Sequence, residues 1–333
     1  MTSQPSTEIK TVLCTVSYRA QLHAQLASAL APAEVLFCDD NDTATIAKAL
    51  KRADVAILKG DLDQRHLDAP HLKWVHCDHA GLNKSARPEV FEKGLIVTGS
   101  VGRAAQALAQ HIFYFALGMV YDTPGLEQMK AKRQWRGGVN FTDRRGLIGK
   151  TMGIIGLGST GLATAELAKA FQMRVLAYRK SVTPCPDAVD TLFCADQGDT
   201  IDDILAQSDL VVLCIRLTDE TYHMIGAPQF AQMKDSAFLI NMARGAVVDE
   251  AALVDALNSG TIAGAGLDVF EQEPLPSTAP IWGAKNVMIT PHATAEVPDL
   301  QANSLAIICD NISRYRQEKP MRNQLNLQDV YTK

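Results

Sequence analysis

The chain contains no run of about 18 consecutive apolar residues, so no transmembrane helix and no membrane partner are expected. It has no long basic run. Its 32 Lys and Arg are outnumbered by 37 Asp and Glu, for a formal net charge of -5, which argues against nucleic acid as a partner. The opening stretch, Met1 to Glu8, is polar and lacks the apolar core of a secretory signal. Seven cysteines are scattered without a C-x-x-C pair, a pattern that fits reduced thiols better than a disulfide framework. A cytoplasmic location is therefore expected. No internal repeat or low-complexity segment is evident.

What is present suffices for two globular domains. The length of 333 residues corresponds to about two domains of ~150 residues each. With 47% hydrophobic and 21% charged residues, the composition supports a large buried core. Thr11 to Val16, Val35 to Cys38, Val55 to Leu58, Leu72 to Cys77 and Leu95 to Thr98 read as strands, with helices at Ala20 to Leu30 and Thr43 to Arg52. This alternation predicts an open parallel sheet covered on both faces.

His76-Cys77-Asp78-His79 offers metal-ligand chemistry, yet on a strand its side chains alternate between faces. No metal site is expected there. The following loop, Ala80-Gly81-Leu82, lies beyond a strand's carboxyl end, where ligands of open α/β sheets bind. Ala104 to Tyr121 reads as an apolar helix crossing to a second sheet, its apolar character all round predicting burial, including against a second subunit. Asp122-Thr123-Pro124-Gly125 ends it. Lys130 to Arg136 and Arg144-Arg145 read as solvated basic surface, with Trp135 packing near a cleft.

The most informative stretch runs from Thr151 to Phe171. An apolar strand, Met152 to Ile155, leads into Gly156, Gly158 and Gly161 at G-x-G-x-x-G spacing, and then into an apolar-periodic helix. Strand, glycine turn and helix together form a dinucleotide-binding fingerprint. The first glycine permits the tight turn, the second lets a pyrophosphate approach, and the third brings helix and strand together. The helix start, Ser159-Thr160-Gly161, presents N–H groups to the anion. The next strand, Arg174 to Tyr178, ends in Arg179-Lys180-Ser181 where NAD-binding folds carry an acid for the ribose hydroxyls. A missing acid and two added cations point to NADP(H), with NAD(H) as the alternative.

Later strands end in polar residues. Arg244, Glu273 (or Glu271) and His292 follow Ala237 to Met242, Ala265 to Phe270 and Val287 to Thr290. Hydride transfer to a 2-oxo acid needs these parts. A proton must reach the carbonyl oxygen, and His, with an ordinary pKa of about 6.5, suits that exchange. A carboxylate on the far ring nitrogen orients the imidazole. An Arg binds a carboxylate and polarises a carbonyl.

The sequence resembles the D-isomer-specific 2-hydroxyacid dehydrogenase family. The resemblance lies in Gly149 to Gly158, Asn241 to Leu253, Leu267-Asp268-Val269-Phe270-Glu271-Gln272-Glu273-Pro274, and Thr290-Pro291-His292. It implies Arg244, Glu273 and His292 as catalytic residues, the D-V-F-x-x-E-P pattern choosing Glu273 over Glu271. It implies that Asp268 contacts the nicotinamide carboxamide. It also implies that amides around Ala80 and Gly81 hold the substrate carboxylate, with Arg244 and His292 as further substrate-binding residues. The implied fold is two Rossmann/flavodoxin-like open parallel-sheet domains. The cofactor domain, 102–295, is inserted into a discontinuous substrate domain, 1–101 and 296–333, and homodimers are common.

The chain departs from the family pattern at Gly99-Ser100-Val101-Gly102, Gln110 and Ser159-Thr160. It also departs at Arg179, at His79 beside the carboxylate loop, and at Arg216, near where the family places the adenine end. The expected function is reduction of a small 2-oxo acid to a D-2-hydroxy acid. The alternatives are an NAD-dependent dehydrogenase working oxidatively and a nucleotide-sensing, corepressor-like binding protein. The short terminal segments favour an enzyme.

Overall fold

The computed structural model describes residues 7–136 and 146–333. Arg144 and Arg145 lie outside the described residues. The chain forms two compact units. One comprises the chain up to Ala104 together with Val297–Lys333, the other Ala105–Glu296.

The first unit follows the strand–helix alternation read from the sequence. Its elements are β1 (Thr11–Cys14), α1 (Ala20–Leu30), β2 (Glu34–Phe37), α2 (Thr43–Leu50), β3 (Val55–Leu58), α3 (Gln64–Asp68), β4 (Trp74–Cys77), α4 (Pro88–Glu92) and β5 (Ile96–Gly99). The strands are all parallel, in the order β2-β1-β3-β4-β5. Alternation along β3 feeds two cores. Val55 and Ile57 pack with Leu26, Trp74 and Ile308, while Ala56 and Leu58 pack with Ile46, Val75 and Val97.

The four-residue cluster on β4 splits as alternation requires. Cys77 Sγ lies 3.5 Å from Ser85 Oγ, whereas His76 shares its face with Trp74. The protons along that face fit one arrangement. Trp74 Nε1–H donates to Thr98 Oγ1 at 2.8 Å, and the Thr98 hydroxyl donates to His76 Nδ1 at 2.9 Å. His76 Nε2–H then donates to Ser100 Oγ at 3.0 Å, and that hydroxyl donates to Asp78 Oδ1 at 3.0 Å. His76 is fully buried. Burial, with the nearby charges of His79 and Arg103, pushes its pKa down to about 3. It is a neutral structural histidine, and among the described residues no group of three or more His, Cys, Asp or Glu could hold a metal.

The second unit contains α5 (Ala105–Val120), α6 (Thr123–Ala131), β6 (Thr151–Ile155), α7 (Ser159–Ala170), β7 (Arg174–Arg179), β8 (Thr191–Cys194), α8 (Asp202–Gln207), β9 (Leu210–Leu213), α9 (Ala227–Gln232), β10 (Phe238–Asn241), α10 (Glu250–Ser259), β11 (Gly264–Leu267) and β12 (Val287–Ile289). Its parallel sheet has the order β12-β11-β10-β9-β6-β7-β8. The order reverses at β6, so the turn after β6 opens at a topological switch point. The final helix, α11 (Leu300–Arg316), belongs to the first unit.

Helix α5 is buried along one side through Ala109, Ile112, Phe113, Phe115 and Ala116. Its burial is not all round, for Tyr114 remains 52% exposed. A Cβ on Gly266 of β11 would lie 2.5 Å from Phe115 Cγ, so the helix seats where the strand has no side chain. Two sequence expectations are corrected here. Trp135 is 90% exposed and packs in no cleft among the described residues. The Pro124-Gly125 stretch opens a helix of its own, because a proline in the first turn has no intrahelical N–H to lose.

Two outcomes follow. On acidification the unfolded chain protonates a histidine near pH 6.5, while buried His76 resists until about pH 3. Stability therefore falls with decreasing pH across that window. From pH 7 to pH 5 the loss from this group is about 2 kcal/mol, read as a lower urea midpoint, and His76→Gln shows a shallower drop. Gly266→Val drives a branched side chain into Phe115 and lowers stability by about 1–3 kcal/mol, measured in the same unfolding assay.

Candidate active site

The glycine turn occupies the switch point of the seven-stranded sheet. Gly156 follows β6 with φ +101°, a left-handed conformation that favours glycine. A Cβ there would lie 2.5 Å from the Cys214 carbonyl oxygen, and one on Gly161 would lie 2.1 Å from the Gly156 carbonyl oxygen. Both glycines are thus required by close backbone approach. Gly158 differs, since its Cβ would meet nothing within 4 Å. It opens α7, whose start has no side-chain cap. The N–H groups of Ser159, Thr160 and Gly161 belong to the first turn of the helix, which leaves them available to an anion.

The end of β7 carries the basic residues. Arg179 Nη1–H donates to Thr183 Oγ1 at 2.6 Å. Its Nε is buried and has no hydrogen-bond partner among the described residues, which is costly for a guanidinium unless a ligand or water satisfies it. Lys180 Nζ lies 2.7 Å from Glu220 Oε2. Ser181, next in the chain, is exposed, and Arg216, beyond β9, is exposed as well. The open Gly158, the uncapped helix start and the orphaned Arg179 Nε together fit a phosphate-bearing dinucleotide.

Arg244, Glu273 and His292 lie beyond the carboxyl ends of β10, β11 and β12, three neighbouring strands. The Arg244 turn is fixed from below by Asn241, which is 1% exposed. Asn241 Oδ1 accepts from Ala243 N–H at 3.0 Å, and its Nδ2–H donates to the Arg244 carbonyl at 3.1 Å. Arg244 is half-buried, with Nη1–H donating to the Ala243 carbonyl at 2.6 Å. A Cβ on Gly245 would fall 1.8 Å from the Phe270 carbonyl carbon. The Arg244 turn and the Phe270–Glu271 peptide are therefore in direct backbone contact.

Glu273 is held at both oxygens. Its Oε1 accepts from Phe270 N–H at 2.9 Å, and its Oε2 lies 2.6 Å from His292 Nδ1. His292 has φ +51°, an uncommon conformation for a side-chain-bearing residue and one found at functional turns. With Nδ1–H given to Glu273, Nε2 meets no partner among the described residues. Glu271 is engaged elsewhere. Its Oε1 accepts from His223 Nε2–H at 2.9 Å and from Glu250 N–H at 3.0 Å, at the start of α10. The geometry thus pairs His292 with Glu273 rather than Glu271.

Asp268, only 2% exposed, accepts from the Thr290 hydroxyl at 2.5 Å, and His111 Nε2 lies 3.2 Å from the same hydroxyl oxygen. Sequence reasoning missed Thr290 and His111 as partners of Asp268. The helical register of His111 with Phe115 was the available signal. In the first unit, the carbonyl of His79 accepts from Ser100 N–H at 3.0 Å. The next amides, of exposed Ala80 and half-buried Gly81, donate to nothing among the described residues. His79 Nε2 lies 3.6 Å from Asp61 Oδ1.

Residues 113–294 match the family model described as "D-isomer specific 2-hydroxyacid dehydrogenase, NAD binding domain". The glyoxylate reductase of Thermofilum pendens is 34% identical over 265 residues, covering 79% of this chain and 77% of that protein. A D-isomer-specific 2-hydroxyacid dehydrogenase from Xanthobacter autotrophicus Py2, solved with NADPH and MES, superposes with a TM-score of 0.81. Its identity is 28%, covering 97% of this chain and 99% of that one. An NADPH-dependent glyoxylate/hydroxypyruvate reductase from Sinorhizobium meliloti, solved with NADP and sulfate, gives a TM-score of 0.79 at 25% identity, covering 96% and 98%. With sequence similarity running through most of its length and the same fold throughout, the chain belongs to the D-isomer-specific 2-hydroxyacid dehydrogenase family.

Proposed function

We propose that this enzyme reduces a small 2-oxo acid to a D-2-hydroxy acid with NADPH, in the cytoplasm and as a homodimer. Glyoxylate and hydroxypyruvate are the first substrates to consider, since the Thermofilum pendens and Sinorhizobium meliloti relatives carry those names. The observation that carries the reading is the 2.6 Å pair between His292 Nδ1 and Glu273 Oε2. It fixes the ring and leaves Nε2 available to a substrate oxygen.

The reduced nicotinamide, when bound, supplies the hydride. His292 gives the proton from Nε2 to the carbonyl oxygen, and takes it back in the oxidative direction. Glu273 accepts the Nδ1–H bond throughout and stabilises the imidazolium, since its second oxygen is already anchored by Phe270 N–H. Arg244 pairs with the substrate carboxylate and polarises the carbonyl. The amides of Ala80 and Gly81 would donate to a substrate carboxylate, and Asp268 would accept from the nicotinamide carboxamide. The glycine turn with Ser159, Thr160 and Gly161 holds the pyrophosphate.

NADPH over NADH is supported by the unsatisfied Arg179 Nε at the strand end that lacks an acid, with Lys180, Ser181 and Arg216 contributing beside it. The homodimer is supported by large apolar side chains left exposed on the second unit, among them Tyr114 and Tyr121 of the α5 region and Ile148.

The test follows the absorbance of NADPH, and separately NADH, with glyoxylate, hydroxypyruvate, pyruvate and bulkier 2-oxo acids. Turnover favours NADPH with a small 2-oxo acid, and His292→Ala lowers kcat by about 10²–10⁴-fold while cofactor still binds. A His292→Ala enzyme with full activity would sink the assignment of the proton donor. NADH preference would discard the phosphate site and keep the reductase.

A further inference from the structure

The carboxylate of Glu220 stands against Lys180, one of the cations of the proposed 2′-phosphate site. Lys180 follows β7 directly, and Glu220 lies beyond β9, on the far side of strand β6. The two side chains meet at 2.7 Å across the sheet edge. Both are solvent-accessible, 40% for Lys180 and 69% for Glu220. Among the described residues the pair is joined by a single ionic hydrogen bond. Arg179, one residue earlier, points its Nη1 at Thr183 and leaves a buried Nε unsatisfied. The site thus has one cation with an unsatisfied N–H and one already paired with a carboxylate.

We infer that Glu220 is a selectivity residue that restrains the preference for NADPH over NADH. The inference rests on Arg179 and Lys180 being the 2′-phosphate site. A phosphomonoester carries close to two negative charges at neutral pH. To reach Lys180 it must displace or share the lysine with Glu220, whose carboxylate stays well within a Debye length and repels it. NADH has a single hydroxyl in place of that phosphate and meets neither the competition nor the repulsion. The effect is therefore confined to the phosphorylated cofactor. It is modest, because an exposed pair is loosened by solvent and salt. An acid at this position lowers the affinity for NADPH and leaves that for NADH unchanged, so the gap between the two cofactors narrows.

The experiment titrates NADPH and NADH into the intact protein and follows reduced-nicotinamide fluorescence, a binding readout independent of turnover. Glu220→Gln keeps the size of the side chain and removes its charge. NADPH should bind about threefold to fivefold more tightly, and NADH should change less than about twofold, as expected for one exposed charge. The gain for NADPH should shrink in 0.5 M salt, on the order of the screening expected when the Debye length falls to ~4 Å. An unchanged NADPH affinity, or equal gains for both cofactors, overturns the role of Glu220. Arg179→Ala, run in parallel, reports the underlying site separately. Selective loss of NADPH binding there, with Glu220→Gln inert, rejects the Glu220 inference alone. Equal loss of both cofactors in Arg179→Ala rejects the phosphate site itself and the inference with it.

Discussion

The missing side chain at Gly245 lets two of the three proposed catalytic turns share one sheet edge. A methyl group there would sit inside the Phe270 carbonyl carbon, at 1.8 Å. The Arg244 turn therefore rests on the peptide that leads into Glu273. Asn241 fixes the same turn from the strand side by bonding to Ala243 and to the Arg244 carbonyl. Position thus propagates from β10 to the Glu273 loop through backbone contact. Glu273 passes it on to His292, because one oxygen is tied to Phe270 N–H and the other to the imidazole. A side-chain contact with several rotamers would not hold such a register, whereas stacked backbone has few alternatives.

Two histidines show how environment divides roles between identical side chains. His76 is sealed in the first unit with both ring nitrogens engaged, and burial keeps it neutral. Every proton in its chain from Trp74 to Asp78 has an assigned acceptor, so it has no free valence for a ligand. His292 is 44% exposed, with one nitrogen paired to a carboxylate and the other without a partner among the described residues. Proton exchange with a substrate needs that second arrangement. The carboxylate partner matters as much as the exposure, since it fixes which nitrogen carries the structural proton.

Much of the strand pattern was legible because parallel strands buried on both faces read as continuous apolar runs. Val55–Leu58 and Ala20–Leu30 match the structure residue for residue. The strand Thr191–Cys194 was not read. It is an edge strand with half-buried residues, following a proline-containing stretch that carries no periodicity. Helix α6 was hidden behind Pro124 and Gly125, which read as breakers but stand in its first turn. In the candidate site, the choice of Glu273 over Glu271 came from a motif. Its physical reason, the capture of Glu271 by His223 and the start of α10, depends on contacts 48 and 21 residues apart. The Lys180–Glu220 pair spans 40 residues and two loops, which no local pattern encodes.

The depth at which α5 seats links the core of the second unit to its candidate site. His111 and Phe115 lie four residues apart, on one face of the helix, with ring centroids 4.8 Å apart. Phe115 enters the space that Gly266 leaves open on β11. One turn earlier, His111 reaches the Thr290 hydroxyl beyond β12, and Thr290 donates to Asp268 beyond β11. The proton positions are consistent in one sense only. Thr290 gives its proton to the carboxylate, so its oxygen receives the Nε2–H of His111. Burial disfavours a charge on His111 while the Asp268 carboxylate partly offsets that penalty. Any change that lifted α5 from the sheet would remove the donor behind Thr290 and leave Asp268 with a less constrained partner. A glycine in the middle of a strand thereby helps set the orientation of a carboxylate at that strand's end.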